Sequence, residues 1–152
     1  MFFIQPSPED IVRALESWHW LPISGKSVLR VTAFGDFFLQ DQDGIWFLDT
    51  LEGKVSKICD SEVDLNVLLG TEEGQDHYLF AGFVERAVSE GMTLAAGQCY
   101  DFKLNPVVGG TIAYDNVGVS SFVVAVNLGG QLHDKVRHMA PGTKITGFKM
   151  SD

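Results

Sequence analysis

The chain has 152 residues, 45% of them hydrophobic and 20% charged, and a net charge of −9. That is the make-up of a single folded domain with a core of its own, and it excludes a disordered chain. The negative balance is the wrong sign for a phosphate backbone, and no run approaches the ~18 apolar residues of a membrane span, so neither nucleic acid nor membrane is expected as a partner.

The opening Met1-Phe2-Phe3-Ile4-Gln5-Pro6 is apolar but has no basic stretch and no long apolar core, so it does not read as a signal peptide. The expected compartment is the cytoplasm. Cys59 and Cys99 fall in predicted strands and are too few for a disulfide scaffold. Free buried thiols, compatible with a reducing cytosol, are the simpler reading.

Ser7-Pro8-Glu9-Asp10 carries the signals of a helix start: a capping hydroxyl, a proline preset for the first turn, and two acids that complement the dipole. Ile11, Val12, Leu15 and Trp18 then form a stripe by which this helix, within residues 1–26, docks on the body formed by 27–152. From Ser27 to Cys59 the sequence predicts a meander of four strands: Val28–Ala33, Phe37–Leu39, Ile45–Leu48 and Val55–Cys59. Asp43-Gly44 and Glu52-Gly53 mark turns short enough to make neighbours antiparallel. Ser61 caps a helix running to Leu69, with Val63, Val67 and Leu68 expected on its core side. Gly70–Asp76 reads as a loop and Tyr78–Ser89 as a longer helix.

Gly97–Gly110 is the stretch around which the rest is organised. Cys99, Asp101, Lys103 and Asn105 alternate with Tyr100, Phe102, Leu104 and Pro106, the period of a strand with one dry face. Pro106 ends it or keeps it at an edge, and Gly109-Gly110 frees the backbone for a turn. Thr111–Ser121 follows as a loop. Ser121–Val126 reads as a buried strand, with a helix left open for so short an apolar run. Leu132–Met139 is expected as a closing helix stopped by Pro141-Gly142, and Lys144–Met150 as an edge strand. The fold class is therefore α+β, an antiparallel sheet packed with three to four helices in one domain.

The charge is concentrated. Between Asp36 and Asp76 eleven acids face only Lys54 and Lys57, so this segment alone carries −9, while acids and bases cancel on either side of it. Such a field favours a cationic partner by steering and complementarity.

Catalytic signatures are missing from the sequence: no nucleophile elbow, no phosphate-binding glycine loop and no zinc-binding His-Glu-x-x-His. Asp41-Gln42-Asp43-Gly44 resembles the start of a calcium loop but lacks its closing glutamate, and a hairpin turn explains it. His133 and His138 are five apart, which places them on different helix faces, so His133 reads as a structural histidine. No catalytic residue, metal or cofactor is expected. A small pocket at the end of the organising strand would draw on Tyr100, Asn105, Gly109, Gly110, Asp115 and His133.

Val31-Thr32-Ala33-Phe34-Gly35-Asp36, Trp46–Gly53, Gly97–Leu104, Gly130-Gln131-Leu132-His133 and Pro141–Ile145 occur in that order. Together they resemble the C-terminal domain of bacterial immunity proteins that neutralise DNase effectors of type VI secretion. The likeness runs from Val28 to Lys149; larger members carry a further N-terminal domain, where here a single helix precedes the matched stretch. The resemblance implies a protein partner, the cognate toxin, and no catalytic residues or cofactor.

Two functions follow as expectations. The first is an immunity protein that meets a basic toxin through Asp36, Asp41, Asp43, Asp49, Glu52, Asp60, Glu62 and Asp64, with Trp46 as an anchor if exposed. The alternative is a small-molecule-binding or housekeeping interaction domain that uses the pocket residues. A hydrolase ranks last, having only His133 and scattered aspartates in its favour.

Overall fold

Four strands between Ser27 and Cys59 follow one another across an antiparallel sheet because the turns joining them are too short to do otherwise. The computed structural model of the chain describes residues 1–139; the edge strand expected over Lys144–Met150 and the Pro141-Gly142 stop lie outside them. The sheet comprises β1 (Phe3–Ile4), β2 (Ser27–Thr32), β3 (Phe37–Asp41), β4 (Gly44–Asp49) and β5 (Lys54–Cys59), in that order. The expected meander of four is extended by β1, which pairs Phe3 with Thr32 at one edge. In the β3–β4 hairpin Asp41 faces Gly44, so the turn consists of Gln42 and Asp43 and Gly44 opens the next strand. Gly44 has φ +142°, and a Cβ there would lie 2.6 Å from the Cys59 carbonyl oxygen.

Alternation then feeds two cores. Phe37, Leu39 and Leu48 pack with Trp18, Phe122 and Val126 on one face of the sheet. Phe38, Ile45 and Phe47 pack with Leu65, Leu69 and Leu79 on the other. Both faces are covered, which is why these strands read as nearly continuous apolar runs.

The first face is covered by α1 (Pro8–Leu15) and α5 (Phe122–Val136). Ser7 caps α1 by accepting the Asp10 N–H, and a 3₁₀ turn over Glu16–Trp18 carries Trp18 into the core. The strand expected over Ser121–Val126 is a correction: Ser121 caps a helix there by accepting from Val124 N–H. Its buried residues Phe122, Val126, Gly129, Gly130 and His133 recur at helical spacing over 15 residues. The apolar run at its start was too short to show that period by itself. The helix expected over Leu132–Met139 is the tail of this same element. Gly130 admits the 3₁₀ turn closely, since a Cβ would stand 2.8 Å from the Ser17 carbonyl oxygen. Trp18 Nε1 donates to the Val126 carbonyl at 2.8 Å and Ser17 Oγ to that of Asn127 at 2.7 Å, tying the 3₁₀ turn that follows α1 to α5.

The second face is covered by α2 (Glu62–Leu69) and α3 (Glu72–Leu79). Ser61 caps α2 as expected, accepting from Asp64 N–H. Its buried residues, however, are Leu65 and Leu69, and Val63 and Val67 face outward. The loop expected over Gly70–Asp76 is instead mostly helix, begun by Thr71, whose hydroxyl accepts the Gly74 N–H at 3.0 Å. The single helix expected over Tyr78–Ser89 is broken at Phe80, which takes φ +51° before α4 (Ala81–Ser89). That left-handed residue is held by its ring, 4.9 Å from Phe34 and 5.8 Å from Phe83.

Beyond the end of the sheet, β6 (Gln98–Phe102) pairs antiparallel with β7 (Val117–Ser121). Tyr100 N–H donates to the Ala33 carbonyl and Ala33 N–H to that of Phe2, joining the ribbon to the main sheet. Phe34, Val84, Ala87, Tyr100, Phe102 and Val117 form the third core there. The organising strand is thus shorter than expected: it ends at Phe102, Leu104 is exposed, and Pro106 starts a 3₁₀ turn. The loop expected over Thr111–Ser121 supplies the partner strand, where Cys99 as well as Tyr100 is buried. The whole is an α+β domain.

Candidate functional site

The acidic segment does not form one surface. β4 alone separates its ends by about 17 Å, and successive turns place acids at opposite ends of the sheet. At one end Asp41 and Asp43 sit on the β3–β4 turn, beside Asp60 at the end of β5. Lys26 pairs with Asp41 at 3.4 Å and Lys57 with Asp60 at 2.7 Å. Trp46 Nε1 donates to Asp41 Oδ1 at 2.9 Å, which with the Asp43 N–H and Lys26 holds that carboxyl below the usual range. The Lys26 ammonium also lies over the Trp46 ring, 4.4 Å from its centroid. Trp46 is therefore half-buried with its donor used and one face covered, and it offers no free anchor.

At the other end Asp36 is 3% exposed, so this expected partner contact presents no carboxylate to a partner. Its Oδ1 accepts from Thr50 N–H at 2.8 Å and Thr50 Oγ1 at 2.6 Å. Burial first, and then the Asp49 carboxylate, push its pKa up to about 7, with the Thr50 donors opposing. Asp49 is half-buried and caps the β4–β5 turn, accepting from the N–H groups of Leu51 and Glu52. Glu52 is exposed. His133 reaches this turn from α5, its Nε2 3.1 Å from the Thr50 carbonyl oxygen. A carbonyl only accepts, so Nε2 carries the proton; burial lowers the pKa of the ring and keeps it neutral.

A cavity of about 40 Å³ opens beside Asp36, lined also by Thr50, Asp101, Phe102, Asn105 and Gly129. Burial raises the pKa of Asp101 and drives the neighbouring Cys99 thiol up to about 12. Of the pocket residues expected from the sequence, only Asn105 lines this space. Tyr100 turns away and donates its hydroxyl to the Met92 carbonyl at 2.6 Å. Gly109 closes the 3₁₀ turn, Gly110 N–H bonds back to the Asn105 carbonyl, Asp115 is exposed, and His133 lies behind Thr50. The cavity is far below the ~300 Å³ of a metabolite site. An open groove of about 650 Å³ between residues 3–7 and 93–98 is larger, with Asp10 as its one carboxylate among the described residues. Among the described residues no group of three or more His, Cys, Asp and Glu is placed to hold a metal ion.

The surface that sequence reading missed is the α2–α3 layer. Residues 60–76 hold Asp60, Glu62, Asp64, Glu72, Glu73 and Asp76 and no lysine or arginine, and all six acids are exposed. Asp60 pairs with Lys57 and Glu62 with Arg30; no ion pair engages the other four among the described residues. Val63 and Val67, 73% and 66% exposed, stand among these acids. The charge count signalled the acids, but reading 70–76 as a loop hid the second helix, and the valines were expected inside.

No protein-family model and no curated protein matches the chain. Among solved structures it is similar to the crystal structure of Atu4351 from Agrobacterium tumefaciens, at 20% identity and a TM-score of 0.55. The likeness covers 85% of this chain and 65% of that one, so the chain spans just under two thirds of that protein's length. It shows a shared fold, and a fold carries no function by itself. Among the described residues no helix is long and apolar enough to cross a membrane.

Proposed function

We propose that this chain is a cytoplasmic immunity protein, a non-catalytic domain that binds a cationic bacterial toxin of the nuclease kind and blocks its substrate groove. The observation that carries the reading is the α2–α3 layer with the residue leading into it: residues 60–76 present six exposed carboxylates and no lysine or arginine, and only two of the six are paired, with Lys57 and Arg30, among the described residues. A nuclease groove must be positive to hold a phosphate backbone, so an acidic protein surface competes for it in sign and speeds the encounter. The sequence resemblance over Val28–Lys149 supplies the toxin context. The alternative, a small-molecule-binding domain, has less in its favour, because the cavity beside Asp36 is small, and the expected pocket residues are dispersed, with Asn105 lining that cavity and Tyr100 the larger open groove.

The test is co-expression with the toxin encoded beside this chain. Survival of cells carrying both, and a co-purifying complex that weakens as salt is raised, is the expected result. Death of those cells, with no complex above a charge-matched acidic control protein, would end the immunity reading.

A further inference from the structure

Val63 and Val67 lie one helical turn apart on the outward side of α2, in the exposed acidic layer, while Leu65 and Leu69 hold the helix to the sheet. Valine is a poor choice for an exposed helix position, because its branched Cβ loses rotamer freedom there without gaining burial. Two such residues in register form a ridge on an otherwise charged surface. Unpartnered apolar surface ringed by polar groups is the usual form of an interface centre.

The surroundings select the occupant. Asp60, Glu62 and Asp64 flank the ridge at the start of α2, and Glu72, Glu73 and Asp76 follow on α3. A second copy of this chain would bring the same carboxylates against them, and an anionic lipid surface or a nucleic acid would be repelled in the same way. A cationic protein surface is the complement.

We propose that the Val63–Val67 ridge is the apolar centre of the docking surface, and that its partner is a basic protein groove containing a shallow apolar strip. The reading rests on the immunity function above and deepens it. Charge on Asp64, Glu72, Glu73 and Asp76 steers the encounter, and the ridge sets the lifetime of the complex. An amphipathic helix in a groove is a recurrent way for a short helix to be read, with i and i+4 side chains as anchors. The exposed acids then form the rim, where truncation changes association rate and salt dependence more than dissociation.

The experiment is surface-bound kinetics with the catalytically inactivated toxin domain encoded beside this chain, against wild type, V63S/V67S and E72Q/E73Q/D76N. The expected result is a ten- to hundredfold faster dissociation for V63S/V67S, with association within about twofold of wild type. The acid variant should show the reverse, slower association and nearly unchanged dissociation. Because both valines are exposed, V63S/V67S keeps its fold, which its unfolding curve verifies. Wild type that binds, with V63S/V67S dissociating within twofold of it, overturns the ridge and leaves immunity standing. Wild type that does not bind overturns the immunity reading itself.

Discussion

Gly53, in the β4–β5 turn, lies flat against the imidazole of His133 on α5: a Cβ at Gly53 would stand 2.5 Å from Nδ1. The two residues are 80 positions apart in sequence, and the contact locks the turn that carries Asp49 and Thr50 to the last helix. Gly53 also has φ +70°, a conformation that disfavours any Cβ. Gly53→Ala is expected to destabilise the protein by about 2–4 kcal/mol, from left-handed strain plus the clash. His133→Ala in the same chain should recover the clash but not the strain. Urea unfolding of both single variants and the double variant measures this coupling.

Asp36 gives stability a specific pH dependence. Its folded-state pKa of about 7 lies above the ordinary 3.8, so the folded protein holds a proton that the unfolded chain releases. Its contribution is complete below about pH 4 and is lost as pH rises to about 7, on the order of 4 kcal/mol over that window. Asp36→Asn keeps an oxygen for the Thr50 donors and should flatten this slope. Unfolding free energies from pH 4.5 to 8 are the measurement, and an unchanged slope would mean that the carboxylate is ionised throughout.

His133 acts in the opposite sense. Burial lowers its pKa below 6.5, so the unfolded chain takes up the proton first as pH falls. Its contribution is complete above 6.5 and lost below it. In the Asp36→Asn background stability should therefore still fall on acidification from pH 6.5. His133→Gln, which retains an N–H for the Thr50 carbonyl, should reduce that fall.

The two sides of α2 should respond oppositely to truncation. Leu65 is fully buried against Phe38 and Phe47, so Leu65→Ala is expected to cost about 2–5 kcal/mol. V63S/V67S, on the outer side, should stay within about 1 kcal/mol of wild type. Equal losses on both sides would contradict the orientation of the helix.

Asp36 and the exposed acids should also part company in binding. Neutralising Glu72, Glu73 and Asp76 should slow toxin association about tenfold at low salt, with the difference closing as salt rises. Asp36→Asn should leave association unchanged, since its carboxylate is buried. A slowed association in Asp36→Asn would show that the buried end of the sheet is part of the interface.

Local chemistry was enough wherever a feature is written within a few residues. The β2–β5 meander, the Ser7 and Ser61 caps and the concentration of charge between Asp36 and Asp76 were legible because alternation, turn residues and side-chain capping act over short range. The apolar run Phe122–Val126 was ambiguous at that range, and only docking on Trp18 and Phe37 displays its helical period. In α2, Val63, Leu65, Val67, Leu68 and Leu69 leave almost no polar side, so periodicity could not choose the buried face. Contact with Phe38 and Phe47 chose it, turning Leu65 and Leu69 inward and leaving the valines out. The cluster of Asp36, Thr50, Asp101 and His133 comes from two turns of the sheet, β6 and α5, and exists only once the sheet, the β6–β7 ribbon and α5 have packed. Composition determined that the chain folds and that it is acidic; the tertiary structure decided which acids are buried, because burial depends on what packs against a residue as well as on what the residue is.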